Sequence, residues 1–152
     1  MPLVNGYGIS AEFAQLDSEN VLGTCMVGPL FSFHARDDGD YGHIFEWTDF
    51  TAPIWEQDEY QIVGLQDFEP SAVGLLKDNK VVGFYLDGQA WIDLEHRGKG
   101  LGPAMVVSFV SMTGNLPHVE DIGFSDEGYR IHLKAIELIR QFAGENVFSP
   151  VP

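Results

Sequence analysis

HRGKGLGPAMV, His96 to Val106, decides how the rest of the chain is read. Glycines at 98, 100 and 102 alternate with larger residues, Pro103 follows at once, and an unbroken apolar run comes next. Glycine adopts backbone conformations that a Cβ penalises, and it lets another molecule reach main-chain N–H groups. Proline is at home in the first turn of a helix, where its missing N–H costs nothing. The stretch therefore predicts a permissive loop opening a buried helix over PAMVVSFVSMT (103–113), with Gly114 ending it. The first N–H groups of a helix lack partners within it, and the helix dipole favours negative charge there. With Arg97 and Lys99 alongside, a phosphate-bearing group is the expected ligand of the loop.

Working outward, YQIVGL (60–65), SAVGLLKD (71–78), KVVGFYLD (80–87) and QAWIDL (89–94) predict short strands. Asp78-Asn79 and Asp87-Gly88 are two-residue hairpin turns, which makes consecutive strands antiparallel neighbours. On the other side, NLPHVEDIGF (115–124) reads as loop, and Ser125 caps a second helix. In that helix Ile131, Ala135, Leu138, Ile139 and Phe142 form one apolar stripe, with Lys134, Glu137 and Arg140 towards water.

Residues 1–70 carry weaker signals. ISAEFAQL (9–16) predicts a short helix with Ser10 as N-cap. VLGTCMV (21–27) and PLFSFHA (29–35) predict strands on either side of a Gly28-Pro29 turn, and HIFEWTDF (43–50) alternates like a strand. The tract from Asp37 to Glu59 mixes carboxylates with Tyr41, Phe45, Trp47, Phe50 and Trp55, a composition suited to a loop that closes over a ligand. The order of elements predicts an α+β fold with a mostly antiparallel central sheet and flanking helices.

Bulk properties narrow the class. A chain of 152 residues fits one domain, 1–152, and 45% hydrophobic residues argue against disorder. No apolar run approaches the roughly 20 residues that span a bilayer. The N-terminus lacks the basic start and apolar middle of a signal peptide, and Cys25 stands alone. A soluble cytoplasmic domain is expected. With 23 acidic against 8 basic residues, the net charge is -15. Such a surface repels phosphate backbones and attracts cations, so nucleic acid is not an expected partner.

The loop is neither of two familiar nucleotide motifs. A P-loop needs GxxxxGK followed by Ser or Thr, and a dinucleotide fold needs GxGxxG after the first strand of a parallel unit. RGKGLG (97–102) instead resembles the Arg/Gln-x-x-Gly-x-Gly/Ala acyl-CoA signature of the GNAT (general N-acetyltransferase) superfamily. WIDLEH resembles that family's fourth strand, PAMVVSFVS the helix after it, and KVVGFYLD the strand before, so the resemblance covers residues 71–113. GFSDEGYRIHLKAIELIR is similar, less specifically, to a closing helix. Two departures stand out: one helix candidate where the family has two, and no convincing fifth strand in NLPHVEDIGF. An abbreviated GNAT-like fold is therefore expected, with 71–113 as the cofactor-binding core and 1–70 as the substrate-side portion.

The resemblance implies an acetyl-CoA site. Arg97, Gly98, Lys99, Gly100, Leu101 and Gly102 would wrap the pyrophosphate, and the strand around Ile92 and Leu94 would splay and offer backbone groups to the pantetheine arm. The plainer alternative is a glycine-rich turn packed closely for its own sake. Acyl transfer to an amine needs a proton donor for the leaving thiolate and a deprotonated nitrogen. In this family the donor is often a tyrosine on the last helix, which implies Tyr129; a residue that packs the helix start is the equal alternative. Asp93 and Glu95 flank Leu94, and strand alternation would put both on one face as candidate bases, or both in solvent. His96 and His132 could face the same cleft or be hydrogen-bonded structural residues. His34, His43 and His118 have no ligand spacing, so no metal site is expected.

The leading reading is an N-acetyltransferase that moves an acetyl group from acetyl-CoA to an amine, either on a small molecule or on a protein. The acidic, aromatic 37–59 tract suggests a cationic acceptor. The alternative is a non-catalytic interaction protein on a GNAT-like scaffold, binding a basic partner through its acidic surface. A homodimer is left open.

Overall fold

In the computed structural model, residues 3–4, 7–22, 26–27, 50–65, 71–86, 88–117, 119 and 123–144 are described. The strand expectation for 29–35, that for 43–50 except Phe50, which bridges Leu65, the Gly28-Pro29 turn, Asp87 of the Asp87-Gly88 turn, and Cys25 lie outside them. A 3-10 turn over Ala11–Gln15 comes first, with the Ser10 hydroxyl oxygen accepting from the Glu12 N–H. A one-turn helix α1 (Ser18–Leu22) and a two-residue strand β1 (Met26–Val27) follow. The expected strand over 21–27 is corrected here, because Val21 and Leu22 close α1.

The sheet has five antiparallel strands in sequence order: β2 (Trp55–Gln57), β3 (Tyr60–Leu65), β4 (Ala72–Lys77), β5 (Lys80–Leu86) and β6 (Gln89–Ile92). After it come α2 (Leu101–Thr113), a two-residue strand β7 (Gly123–Phe124) and α3 (Asp126–Phe142). This is an α+β architecture, and no helix among the described residues is long and apolar enough to cross a membrane.

The hairpins follow from turn chemistry. Asp78 and Asn79 take φ of 52° and 64° between the paired Lys77 and Lys80, the doubly left-handed turn that Asn and Asp tolerate. Asp58 and Glu59 do the same at 53° and 71° between Gln57 and Tyr60. The continuous apolar runs of β3 to β5 reflect burial on both faces. On one face Tyr60, Ile62, Val73, Leu75 and Tyr85 join the α2 residues Leu101, Met105 and Val106 in the main core. On the other, Leu65, Ala72 and Phe84 form a second cluster that takes in Trp91.

α2 carries no ionisable side chain, and it is buried nearly all round. One side meets the sheet and the other meets α3. Gly114 ends it at φ 75°, its N–H donating to the Val110 carbonyl at 2.8 Å. Ser125 caps α3, accepting from the Gly128 N–H at 3.0 Å. The stripe foreseen on α3 is present, with Ala135 and Ile139 fully buried and Ile131, Leu138 and Phe142 packed beside them. The segment 115–124 is not all loop: Gly123–Phe124 pairs in parallel with Met26–Val27, apart from the main sheet.

One irregularity shapes the site. Leu75 pairs with Gly83 but Leu76 with Val81, so Val82 is an extra residue on β5. Such a bulge bends and twists its strand. The Val82 carbonyl accepts from Asp93 N–H at 2.8 Å, just beyond the end of β6.

Glu59 is the residue least suited to its conformation, since a left-handed backbone costs a Cβ-bearing residue roughly 1–2 kcal/mol. Its carboxylate meets Lys77 Nζ at 3.3 Å but is 81% exposed, so that pair offsets little of the cost. Glu59→Gly is expected to raise unfolding stability by about 0.5–1 kcal/mol in urea titrations. A loss of stability would show that the ion pair outweighs the backbone strain.

Candidate functional site

β6 is the outer strand of the sheet, and its far edge is the starting point of the site. The Asp93 N–H points to β5, so the carbonyl of Ile92, on the other side of the same planar peptide, points away from it. Strand alternation aims the N–H of Ile92 and both main-chain groups of Ala90 the same way. Among the described residues no strand pairs with these groups, which are of the kind that recruit an extended chain. Arg97 covers one of them: its Nε–H donates to the Ile92 carbonyl at 2.6 Å. That bond fixes the guanidinium against the strand and leaves its remaining N–H groups free of β6.

A cleft of about 440 Å³ opens along this edge. Ala90, Trp91 and Ile92 form one wall, and Arg97, Gly98, Gly100, Leu101, Gly102 and Pro103 the second. The third is the first turn of α3, Ser125 to Gly128, with Ile131 below it. Two helix starts thus meet at one cleft, and they differ in electrostatics. The α3 start is filled from within, by the Ser125 cap and by Asp126 and Glu127 in its first turn. The α2 start has Gly100 as N-cap, no side-chain hydrogen bond and no acidic residue. An anion in this cleft is drawn to α2 and repelled from α3.

The three glycines divide between two tasks. Gly98 and Gly100 sit at φ +77° and +76°, and a Cβ at either would meet nothing within 4 Å. They are glycine for backbone conformation, in open space. Gly102 is different: a Cβ there would lie 2.9 Å from Ile131 Cδ1. Its smallness lets α2 and α3 approach, a packing task that it has in addition to lining the cleft.

Other expectations need correction. β6 ends at Ile92, Asp93 accepts from the Leu94 N–H at 2.8 Å, and Leu94–His96 is a 3-10 turn. Strand alternation therefore does not align Asp93 with Glu95; both are exposed and neither lines the cleft. Leu94 is 74% exposed and, like Lys99, is not part of the lining. Tyr129 does not line it either; its ring packs beside Phe124 in a small cluster with Leu22, Val119 and Ile136. His96 Nδ1 meets the Tyr60 hydroxyl at 2.7 Å. His132 lies behind the cleft wall, 2% exposed, between the Tyr85 hydroxyl and the Gly128 carbonyl. Among the described residues no cluster of His, Cys, Asp or Glu could hold a metal ion.

The sequence reading missed Ala90, Trp91, Ser125 to Gly128 and Ile131. Ser125 was legible as a cap, but no local pattern tells that the cap faces β6. No family model, curated protein or solved structure matches the chain.

Burial pulls the His132 pKa below its ordinary value, and the hydrogen bond to the Gly128 carbonyl opposes this more weakly. A folded-state pKa below the unfolded one means that the unfolded chain binds more protons as the solution is acidified. The stability conferred by the neutral ring is thus intact above about pH 6.5 and is lost as pH falls below that value. In urea titrations the advantage of the wild type over His132→Asn should shrink between pH 7.5 and 5.5. An advantage equal at both pH values would refute a neutral buried ring.

Proposed function

We propose that the protein is an acyl-CoA-dependent N-acetyltransferase of GNAT-like fold, with acetyl-CoA in the cleft between β6 and the starts of α2 and α3. The observation that carries this reading is the uncapped, acid-free start of α2 beside an unpaired strand edge. A diphosphate fits the first and an amide-bearing arm fits the second. The pyrophosphate would accept hydrogen bonds from the Leu101 and Gly102 amides, with the guanidinium of Arg97 alongside and Lys99 adding positive charge nearby. The pantetheine amides would pair with the outward groups of Ala90 and Ile92. A 440 Å³ cleft lies within the range of ligand pockets, about 300–1,000 Å³.

The reaction is a direct transfer in a ternary complex. The amine nitrogen attacks the thioester carbonyl, the new C–N bond forms, the C–S bond breaks, and the thiolate of coenzyme A leaves and takes up a proton. The nitrogen loses its proton to solvent. Tyr129, Asp93 and Glu95 lie off the cleft, and no step is assigned to them. Net charge of -15, with Asp126 and Glu127 at the cleft, favours a cationic amine on a small molecule or protein.

A second reading, an interaction module without catalysis, draws on β7. This strand is two residues long and pairs with β1, not with β6, so the sheet is shorter than a full acetyltransferase sheet would be.

Calorimetric titration with acetyl-CoA separates the two: micromolar binding, and thiol release with an amine panel, support the enzyme, whereas absence of both supports the module. Gly100→Asn is the sharper probe of the loop. Asn tolerates a left-handed backbone, so the variant should fold as the wild type does. Its carboxamide projects into the open space over the α2 amides and should weaken acetyl-CoA binding at least tenfold. Undiminished binding would move the pyrophosphate elsewhere. Tyr129→Phe should leave turnover within about twofold of wild type, because Tyr129 packs beside Phe124 and does not line the cleft; a loss of 10²-fold or more, the scale of a lost acid, would restore it to the mechanism.

A further inference from the structure

Two sheet tyrosines each reach a histidine on a segment that adjoins the cleft. Tyr60 of β3 meets His96 at 2.7 Å below the glycine loop, and Tyr85 of β5 meets His132 Nε2 at 2.8 Å behind the first turn of α3. The two ties differ in what fixes the tautomer of the ring. His96 is half-buried, and its Nδ1 can either accept from the Tyr60 hydroxyl or donate to it. His132 has no such freedom. Its Nδ1 lies 2.8 Å from the Gly128 carbonyl oxygen, which only accepts, so Nδ1 carries the hydrogen. In the neutral ring Nε2 is then the acceptor, and the Tyr85 hydroxyl donates to it.

The wall of the cleft hangs from this arrangement. Gly128, whose carbonyl the ring holds, donates its own N–H to Ser125 Oγ at 3.0 Å, and Ser125 to Gly128 form the α3 side of the cleft. Phe124, the residue before the cap, lies against the imidazole with ring centroids 4.5 Å apart.

We propose that His132 is a positioning residue for the cleft: its neutral ring ties the first turn of α3 to Tyr85, and a proton on Nε2 loosens that wall and weakens ligand binding. Protonation reverses the Nε2 bond, so that the Tyr85 hydroxyl must turn and accept, and it places charge on a ring that is 2% exposed, a cost relieved when the first turn of α3 opens to water. Among the described residues, few charged groups face the ring. Tyr85 is the ionisable group on β5 that touches it, β7 contributes Phe124, and α2 has no ionisable side chain. Glu12, in the 3-10 turn packed on α3, is exposed, as are Asp126, Glu127 and Arg130 on α3 itself. Burial, which lowers the ring's pKa, sets the response on the acid side of neutrality.

The consequence for binding rests on the reading of the cleft as an acetyl-CoA site, and the test keeps the two apart. Acetyl-CoA affinity is measured by calorimetry from pH 8 to pH 5 in wild type, His132→Asn and Tyr85→Phe. The Asn carboxamide can still donate to Gly128 but does not titrate, so the ratio of wild-type to His132→Asn affinity cancels the ligand's own ionisation. That ratio should be constant near pH 8 and fall by up to about tenfold per pH unit once the ring binds its proton. In Tyr85→Phe the fall should begin at lower pH, since the hydroxyl oxygen that can accept from the charged ring is gone and a charge-assisted bond is the stronger one. A ratio flat over the whole range overturns the proposal. If His132→Asn does not fold, an onset in Tyr85→Phe equal to that of wild type overturns it. Should no protein bind acetyl-CoA, the acyl-CoA reading fails, and backbone amide NMR of the free protein decides the rest. Ser125 to Gly128 signals that shift with the imidazole titration sustain the positioning role, and signals that stay put while the ring titrates end it.

Discussion

The burial of α2 is the constraint on which the cleft depends. A helix with no ionisable residue must be covered on nearly every side, so the sheet takes one face and α3 another. Among the described residues, the N-terminus of this helix opens into the gap between the outer edge of β6 and the start of α3. Hydrophobic burial therefore leaves the unpaired amides of Leu101 and Gly102 at an opening, where they can serve a ligand and not each other. The glycine loop is the hinge of that arrangement: from the end of β6 the chain must reverse within a few residues, and two left-handed glycines accomplish it.

Opposite-sign design at the two helix starts gives the cleft a direction. An acid-filled cap at α3 faces a bare one at α2, with Arg97 pinned to the strand between them. A ligand negative at one end and neutral along its length has one favourable orientation there. The β5 bulge contributes as well, because Val82 reaches past the end of β6 to hold Asp93 and so fixes where the chain leaves the sheet.

The parts of the fold readable from sequence are those set by local chemistry. Asp78-Asn79 can do little but turn, Pro103 and Gly114 bracket a helix, and Ser125 caps the next. The loop at 97–102 was legible as a helix entrance for the same reason. What escaped was decided at a distance. Asp93 looked like a strand residue because QAWIDL alternates, yet its carboxylate competes for the Leu94 amide and stops the strand. Tyr129 and His132 lie one turn apart, and nothing in their spacing tells that one packs with Leu22 and the other bonds to Tyr85. Gly102 matched a ligand motif, and nothing in the motif told that it also packs against Ile131, since both tasks need the absence of a side chain.

The contact between Gly102 and Ile131 has an evolutionary reading. A methyl group at 102 would lie 2.9 Å from Ile131 Cδ1, so that Ile131 would have to give way to it, and the helix crossing is shared between two sites whose volumes trade against each other. In descendants or cousins of this chain, alanine at the first site should travel with valine or a smaller residue at the second. The pair would then act as one inherited unit, invisible to inspection of either position alone.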